Sequence, residues 1–311
     1  MNEFVVGVDG SDHSRRALRW AAAAAEAAGV PARAVQSWAL THEVAEPLGS
    51  IAFEPDEMDE RVQRALAGAV AETLGSPSAV ATEVLRGQPA GALLGATTPD
   101  SVLVLGARGL GGFRGLLLGS VSQECVEYAS CPVVVVRTDR AFAPGNGGAG
   151  ALAAGRGADA PDAPDAPGDE AGGDPADGGD VFLVGKDGSE GAQRALAWAQ
   201  ALADRTGAQV RAVHAWRAVA SERPPGKTER LRSRAADAVR GWTEDAGADV
   251  ESEEVEGDPR RVLVQAAERH GSALTVVGRR GAGGLRSMRL GSTANHLVRH
   301  APSNVAVVPE G

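Results

Sequence analysis

The sequence predicts an α/β protein with two doubly wound domains, each built on a five-stranded parallel sheet. Short apolar runs of strand length alternate along the chain with longer segments whose apolar residues recur at helical spacing. The chain has 311 residues, which is enough to bury two ordinary cores, and its second half repeats the pattern of its first. Because parallel strands need crossover connections, this alternation favours a sheet with helices packed on it.

The first half begins with a predicted strand over residues 3–8, which ends at Asp9, Gly10 and Ser11. Ser11 or Asp12 can cap the helix that follows, and Gly29 can end it. The other predicted elements of this half are a strand over 32–38, a loop over 40–55, a helix over 56–74, a strand over 80–85, a short helix after Gly87 and Pro89, a strand over 102–105, a helix over 119–128 and a strand over 133–137.

The second half repeats this order, since VFLVGKDGSEGAQRALAWA parallels FVVGVDGSDHSRRALRWA. Asp187 takes the place of Asp9, and Gly291 takes the place of Gly119. After its first strand, the predicted elements are a helix over 191–206, a strand over 209–216, a helix over 228–246, a strand over 250–255, a helix over 260–270 and strands over 274–277 and 304–308. We therefore predict two domains, over residues 1–138 and 180–311.

Residues 139–179, between the domains, lose all periodicity and are rich in Gly, Ala, Pro and Asp. Such a segment cannot bury enough apolar surface to offset the entropy of ordering, so we predict an acidic disordered linker. A passive tether is favoured over a regulated binding tail. The stretch 139–180 holds nine acidic and two basic side chains, which account for most of the net charge of −10. This charge argues against a nucleic-acid partner.

Cysteine content and hydropathy indicate the compartment. Cys125 and Cys131 are too few and too close for a disulfide framework or a zinc site, which favours a reducing cytoplasm. The start of the chain, MNEFVVGVDGS, is interpreted as a strand and not as a signal peptide. Apolar runs such as residues 21–25 are too short to cross a bilayer. We expect a cytoplasmic protein with no membrane partner.

A glycine motif follows the fourth predicted strand of each half. In the first half, G-x2-G-x9-G-S is formed by Gly106, Gly109, Gly119 and Ser120, and in the second half by Gly278, Gly281, Gly291 and Ser292. Glycine lets backbone N–H groups approach an anion without a Cβ in the way, and the start of a helix favours negative charge. We therefore predict phosphate-binding loops, in which Gly119 and Ser120 present unpaired N–H groups.

Three motifs recur in order in each half: Asp-Gly-Ser after the first strand, a G-x-P or G-D-P turn, and the glycine motif. With them each half resembles a universal stress protein domain, and the chain resembles a tandem member of that family. The resemblance implies a Rossmann-like sheet of the adenine nucleotide alpha hydrolase type with strand order 3-2-1-4-5. It also implies ATP as the ligand, one site per domain, a role in stress response, and pairing of the two domains. The linker is long enough for the same halves to pair between two chains, which would form a homodimer.

The resemblance also implies which residues bind the nucleotide. Asp9 and Asp187 would accept hydrogen bonds from ribose hydroxyls, with a helix cap as the alternative role for Asp9. Adenine would lie against Ser37 and Ala215, beside Leu105 and Val277. The glycine motifs would hold the phosphates. The implied site further includes residues at the same strand ends and helix starts, namely Gly7, Gly185, Val121, Ser122 and Thr293.

Several charged residues near these motifs allow two interpretations. Lys186 stands where the first half has Val8, and a solvated strand end is favoured over a phosphate ligand. Exposure is likewise favoured over phosphate binding for the loop arginines Arg108, Arg114, Arg279, Arg280, Arg286 and Arg289. His296 and His300 have the spacing of a zinc-binding pair, but no third ligand is evident, so a solvated helix end is favoured.

Three functions remain open from the sequence. The preferred one is an ATP-binding stress or signalling protein whose occupancy changes its shape or partners. The second is a slow ATPase or self-phosphorylating enzyme, with Mg²⁺ as accompanying ion and Ser120, Ser122 or Ser292 as acceptors. The third is an adaptor whose fold alone provides the useful surface. No catalytic residue is predicted, because no general base is recognisable.

Overall fold

The computed structural model describes residues 1–39, 54–75, 80–110, 117–140, 142, 180–217, 250–282 and 288–310. The predicted helix over 228–246 lies outside the described residues. So does most of the predicted loop over 40–55 and of the predicted linker over 139–179.

The first half contains five strands and four helices within its described residues. They are β1 (Glu3–Gly7), α1 (Asp12–Ala28), β2 (Ala32–Trp38), α2 (Pro55–Leu74), β3 (Ala81–Arg86), α3 (Pro89–Gly95), β4 (Ser101–Gly106), α4 (Ser120–Tyr128) and β5 (Val133–Val136). The second half contains β6 (Val181–Lys186), α5 (Glu190–Thr206), β7 (Gln209–Trp216), β8 (Glu251–Glu256), α6 (Pro259–Arg269), β9 (Leu274–Gly278), α7 (Ser292–His300) and β10 (Asn304–Val308). The predicted fold class is confirmed.

Local sequence signals account for the first helix of each half. The Ser14 backbone N–H donates to Ser11 Oγ over 3.2 Å, so Ser11 is the N-cap of α1. Ser189 caps α5 in the same way. Both helices end at a glycine in the left-handed region, Gly29 at φ 63° and Gly207 at φ 72°, where a side chain would be strained.

The ten strands form one sheet in the order β3-β2-β1-β4-β5-β10-β9-β6-β7-β8. Each half therefore has the order 3-2-1-4-5, with parallel pairs throughout. The halves meet at β5 and β10, which pair antiparallel with Val135 opposite Val305. Since β5 and β10 are equivalent strands of the two repeats, this pairing relates the halves by a local two-fold axis.

Helices cover both faces of the sheet. On strand β1, Phe4 and Val6 belong to a hydrophobic cluster with α1, α2 and α5, whereas Val5 belongs to a second cluster with the other helices. This alternation follows from the two-residue period of a strand. Ala17 and Ala21 of α1 are completely buried, so their small side chains let the helix approach the sheet closely. Each cluster contains residues from both halves.

Residues just after the first domain contact both halves. Phe142 is buried, with its ring 5.7 Å from that of Trp20 and 6.2 Å from that of Phe182. Arg140 donates to the Gly271 carbonyl and to Asp180. Both residues were assigned to the linker from sequence, whereas in the structure Phe142 is buried between the halves and the exposed Arg140 hydrogen-bonds to the second half.

Two further expectations concern the cysteines and the bilayer. Cys125 and Cys131 are both free and buried, and burial raises the pKa of the Cys125 thiol to about 12. Among the helices of the described ranges, none combines the length and the apolar composition that a membrane span requires.

Candidate functional site

Each half has a cavity where the strand order reverses, which is the usual ligand position in such sheets. Crevice 1 lies at the carboxyl ends of β1 and β4 and has a volume of about 500 Å³. Crevice 2 lies at the corresponding ends of β6 and β9 and has a volume of about 390 Å³. Both volumes fall within the range of roughly 300–1,000 Å³ that small-molecule sites occupy.

The structure places the predicted site residues of each half in one crevice. Crevice 1 is lined by Gly7, Asp9, Ser37, Leu105, Gly106, Gly109, Gly119, Ser120, Val121 and Ser122. Crevice 2 is lined by Gly185, Asp187, Ala215, Val277, Gly278, Gly281, Gly291, Ser292 and Thr293.

The aspartate after the first strand joins that strand to the glycine loop. Asp9 Oδ1 accepts the Ser11 N–H, and Oδ2 accepts the Leu110 N–H, each over 3.0 Å. Burial raises the pKa of Asp9, but these hydrogen bonds outweigh burial and leave the pKa below its usual value. Asp187 repeats the arrangement, with Oδ2 accepting the Ala282 N–H over 2.9 Å. An ionised carboxylate thus lies at the mouth of crevice 1.

The middle glycine of each motif makes room for this carboxylate. A Cβ at Gly109 would overlap Asp9 Oδ2, and a Cβ at Gly281 would overlap Asp187 Oδ2. The sequence predicted these glycines for their approach to phosphate. The structure shows that each also permits close approach of an aspartate from the neighbouring strand.

The first glycine of each motif has a packing role. A Cβ at Gly106 would lie 2.6 Å from the carbonyl carbon of His13, in the backbone of α1. Gly278 is equally close to the backbone of Gly191 in α5. These two positions must be glycine because the helix backbone rests directly on the end of the strand.

The third glycine of each motif corrects a prediction. Gly119 does not present an unpaired N–H, because it donates to the Ala107 carbonyl over 2.8 Å. Gly291 donates to the Arg279 carbonyl over the same distance. These bonds close the loop and start the helix at the next residue, so the amides left for an anion are those of the first helical turn.

The helices that open at the crevices have no side-chain cap within the described residues. Gly119 and Gly291 are the N-caps of α4 and α7, and neither glycine has a side chain to accept a hydrogen bond. By contrast, α1 and α5 are capped by serine. The first N–H groups of a helix have no partner within that helix. The positive ends of α4 and α7 therefore face the crevices with amides available to a ligand.

The hydroxyl of Ser122 is committed to a backbone carbonyl. Its Oγ donates to the Gly106 carbonyl over 2.7 Å, and only 5% of the residue is exposed. The hydroxyl therefore ties α4 to the end of β4. In the second half, Ala294 occupies this position and is also buried.

The apolar walls of the crevices include residues that the sequence analysis missed. In crevice 1 these are Val35, Pro89 and Leu93. In crevice 2 they are Val213, Pro259 and Leu263. A Pro-x3-Leu pattern recurs after the third strand in both halves, and this recurrence could have identified two of the three pairs.

The loop arginines have partners within the protein. Arg108 Nε donates to His13 Nε2 over 3.1 Å, and burial together with Arg108 lowers the pKa of His13. The equivalent Arg280 pairs with the Glu310 carboxylate. Arg279 and Arg289 both contact the other half. Arg114 and Arg286 lie outside the described residues.

The exposure of Lys186 differs from the prediction. The residue is only 3% exposed, so the interpretation as a solvated strand end is wrong. Its counterpart Val8 belongs to the hydrophobic cluster on the α1 face of the sheet, which shows that this strand position is an interior one. The Lys186 carbonyl lies 2.8 Å from His214 Nδ1.

Comparison with known proteins gives the same division of the chain. A model described as the universal stress protein family matches residues 1–137 and 180–309. A universal stress protein of Mycolicibacterium smegmatis is 30% identical over 318 residues, which cover 98% of this chain and 96% of the relative. One from Mycobacterium bovis is 31% identical over 317 residues, or 97% and 95% of the two chains.

Solved structures share the fold over the whole chain. A universal stress protein from Archaeoglobus fulgidus superposes with a TM-score of 0.63 at 22% identity, covering 100% of this chain and 99% of that one. A protein described as a universal stress protein from Pseudomonas aeruginosa gives a TM-score of 0.59 at 13% identity, covering 99% and 93%. At these identities the likeness concerns the fold alone.

Proposed function

The chain belongs to the universal stress protein family as a tandem member, and from that premise we propose that it binds ATP, with one site in each domain. One observation carries this proposal. In each crevice an aspartate, an uncapped helix start and an apolar wall converge, and they do so twice in one chain. We take the domains to span 1–138 and 180–311.

The helix starts suit the phosphates. The first-turn amides of α4 and α7 are oriented N–H donors at the positive end of a helix dipole, so they favour an anion without any positively charged side chain. Ser120 and Ser292 open these turns, followed by Val121 and Thr293. In crevice 1, Arg108 adds a guanidinium whose partner is a neutral imidazole. In crevice 2, Glu310 already neutralises Arg280.

The aspartates and the apolar walls suit the nucleoside. Each carboxylate accepts hydrogen bonds from two backbone N–H groups, which orient it. Its remaining lone pairs can accept hydrogen bonds from ribose hydroxyls. Leu93 and Leu105 in crevice 1, and Leu263 and Val277 in crevice 2, provide apolar surface for a base. Ser37 and Ala215 extend these walls at the ends of β2 and β7.

We propose binding and signalling, not turnover, as the function. The lowered pKa of Asp9 makes its carboxylate a poor proton acceptor at neutral pH. The Ser122 hydroxyl is already donated to the Gly106 carbonyl, which disfavours it as a phosphate acceptor. A nucleotide that is held but not consumed suits a protein whose occupancy is the signal. A cytoplasmic location and a homodimer stay predictions from the sequence.

A calorimetric titration of nucleotide-free protein with ATP tests the function. We expect two ATP per chain. Nucleotide released from purified, denatured protein should be identified in parallel by chromatography. Failure to bind ATP, with none carried through purification, would contradict the proposal.

We also propose that the two domains pair within one chain in solution. The pairing of β5 with β10, the buried Phe142 ring and the Arg205 contact with the Ala28 carbonyl support this. Small-angle scattering should give the profile of a single compact particle. A profile of two separate bodies would contradict the pairing.

A further inference from the structure

The last turn of α4, in the first domain, is held by two arginines of the second domain. Arg279 Nη1 donates to the Ala129 carbonyl over 2.8 Å and to the Glu127 carbonyl over 3.2 Å. The Arg289 guanidinium lies 4.4 Å from the centroid of the Tyr128 ring, within cation–π range. Both arginines belong to the glycine loop of crevice 2, residues 279–291.

Arg279 links crevice 2 to the helix that opens crevice 1. It lines crevice 2, where its backbone accepts the Gly291 N–H and donates to the Val308 carbonyl. Its side chain reaches the carboxyl end of α4, whose amino end opens crevice 1. A cation at the carboxyl end of a helix satisfies orphan carbonyls and favours the helix dipole.

We propose that Arg279 is a positioning residue that couples the two nucleotide sites, so that ATP in crevice 2 tightens the binding of ATP in crevice 1. The inference rests on the proposed function. ATP in crevice 2 restrains the backbone of Arg279, which lines that crevice, so the arginine loses less additional freedom when its side chain holds α4. A better-held α4 presents its first-turn amides to phosphate at lower entropic cost. The coupling is reciprocal in affinity.

In the other direction, the arginine that holds the end of α7 does not belong to the glycine loop of the first half. When Gly119 is aligned with Gly291, the residues equivalent to Arg279 and Arg289 are Ala107 and Leu117. Arg137 does reach the end of α7, donating to the Ala301 carbonyl over 3.0 Å. However, Arg137 is not among the residues that line crevice 1. Within the described ranges, Arg279 is therefore the arginine that both lines one crevice and caps the helix of the other.

Hydrogen exchange of the full chain provides the first test. With Gly109→Val disabling crevice 1, ATP can fill only crevice 2, and amide exchange in residues 120–129 should slow by about fivefold on adding ATP. Adding Arg279→Gln should remove this protection when the two proteins are compared at ATP concentrations that give the same occupancy of crevice 2, as measured for each by calorimetry. Arg140→Gln is the control, since it removes a guanidinium that crosses the same junction without touching α4. Protection that persists in Arg279→Gln would overturn the inference.

Binding isotherms provide the second test. If the sites were independent, the wild-type isotherm would equal the sum of those of the single-site chains Gly281→Val and Gly109→Val. We expect instead that the second ATP binds the wild type about fivefold more tightly than this sum requires. This tighter binding of the second ATP should be lost in a chain carrying Arg279→Gln and kept in a chain carrying Arg140→Gln. If ATP binds at two independent sites, the coupling is contradicted but the proposed function is not. If ATP does not bind, both the proposed function and the coupling are contradicted.

Discussion

A chain carrying Gly109→Val should bind one ATP instead of two, and Gly281→Val should cause the same loss in the other domain. The added side chain occupies the place of a carboxylate oxygen of Asp9 or Asp187. An aspartate side chain can rotate away, so we expect the variants to fold with little loss of stability. The carboxylate then leaves the crevice and the hydrogen bonds that orient it are broken. Calorimetric stoichiometry measures the effect.

The control for this experiment is Gly68→Val in α2, where a Cβ meets no atom within 4 Å. This variant should keep both sites, and the double variant of Gly109 and Gly281 should bind no ATP. Two ATP per chain in either single variant would show that the corresponding crevice is not a nucleotide site. Circular dichroism of each variant excludes unfolding as the cause of a loss.

Gly106→Ala should lower the free energy of unfolding by about 3 kcal/mol, because its Cβ would lie 2.6 Å from the carbonyl carbon of His13. The obstacle is backbone, and α1 cannot retreat without separating Ala17 and Leu18 from the core, where both are completely buried. Urea unfolding measures the change. The same substitution at Gly278 should have a similar effect, since its neighbour is the backbone of Gly191.

The matched control is Gly68→Ala, at an exposed position in the interior of α2. With free space around the new methyl group, we expect a gain of about 1 kcal/mol, because alanine has the higher helix propensity. The two glycine-to-alanine changes should therefore move stability in opposite directions. Equal effects would mean that α1 does not rest on the end of β4 as described.

Much of the fold was predictable from the sequence because its signals are local. Ser11 and Gly29 mark the ends of α1, and the corresponding Ser189 and Gly207 mark the ends of α5. The predicted bounds of the described strands agree with the structure to within one residue at each end. The candidate site residues came from the resemblance to a known family, and their convergence agrees with the rule that parallel strands bring their carboxyl ends to one edge of the sheet.

What the sequence could not predict depends on contacts between distant residues. The pattern of glycines does not reveal that Gly109 lies against Asp9, or that the Gly119 N–H donates to the Ala107 carbonyl. The contact of Arg279 with Ala129 joins residues 150 positions apart in different domains, so nothing near either residue encodes it. Lys186 was mistaken for a surface residue because a charged side chain at a strand end is usually solvated, whereas this strand position is buried in both halves.

The antiparallel pairing of β5 with β10 has a consequence for aggregation. The Val-Val-Val-Val of β5 and the Asn-Val-Ala-Val-Val of β10 are buried, and each strand pairs with the backbone edge of the other. The outermost described strands are β3 and β8, and they carry charged residues, with four glutamates on β8, which discourage further strand addition. Cutting the chain into single domains would expose an unpaired valine-rich edge strand on each piece, an edge that the proposed pairing of the domains covers in the full chain.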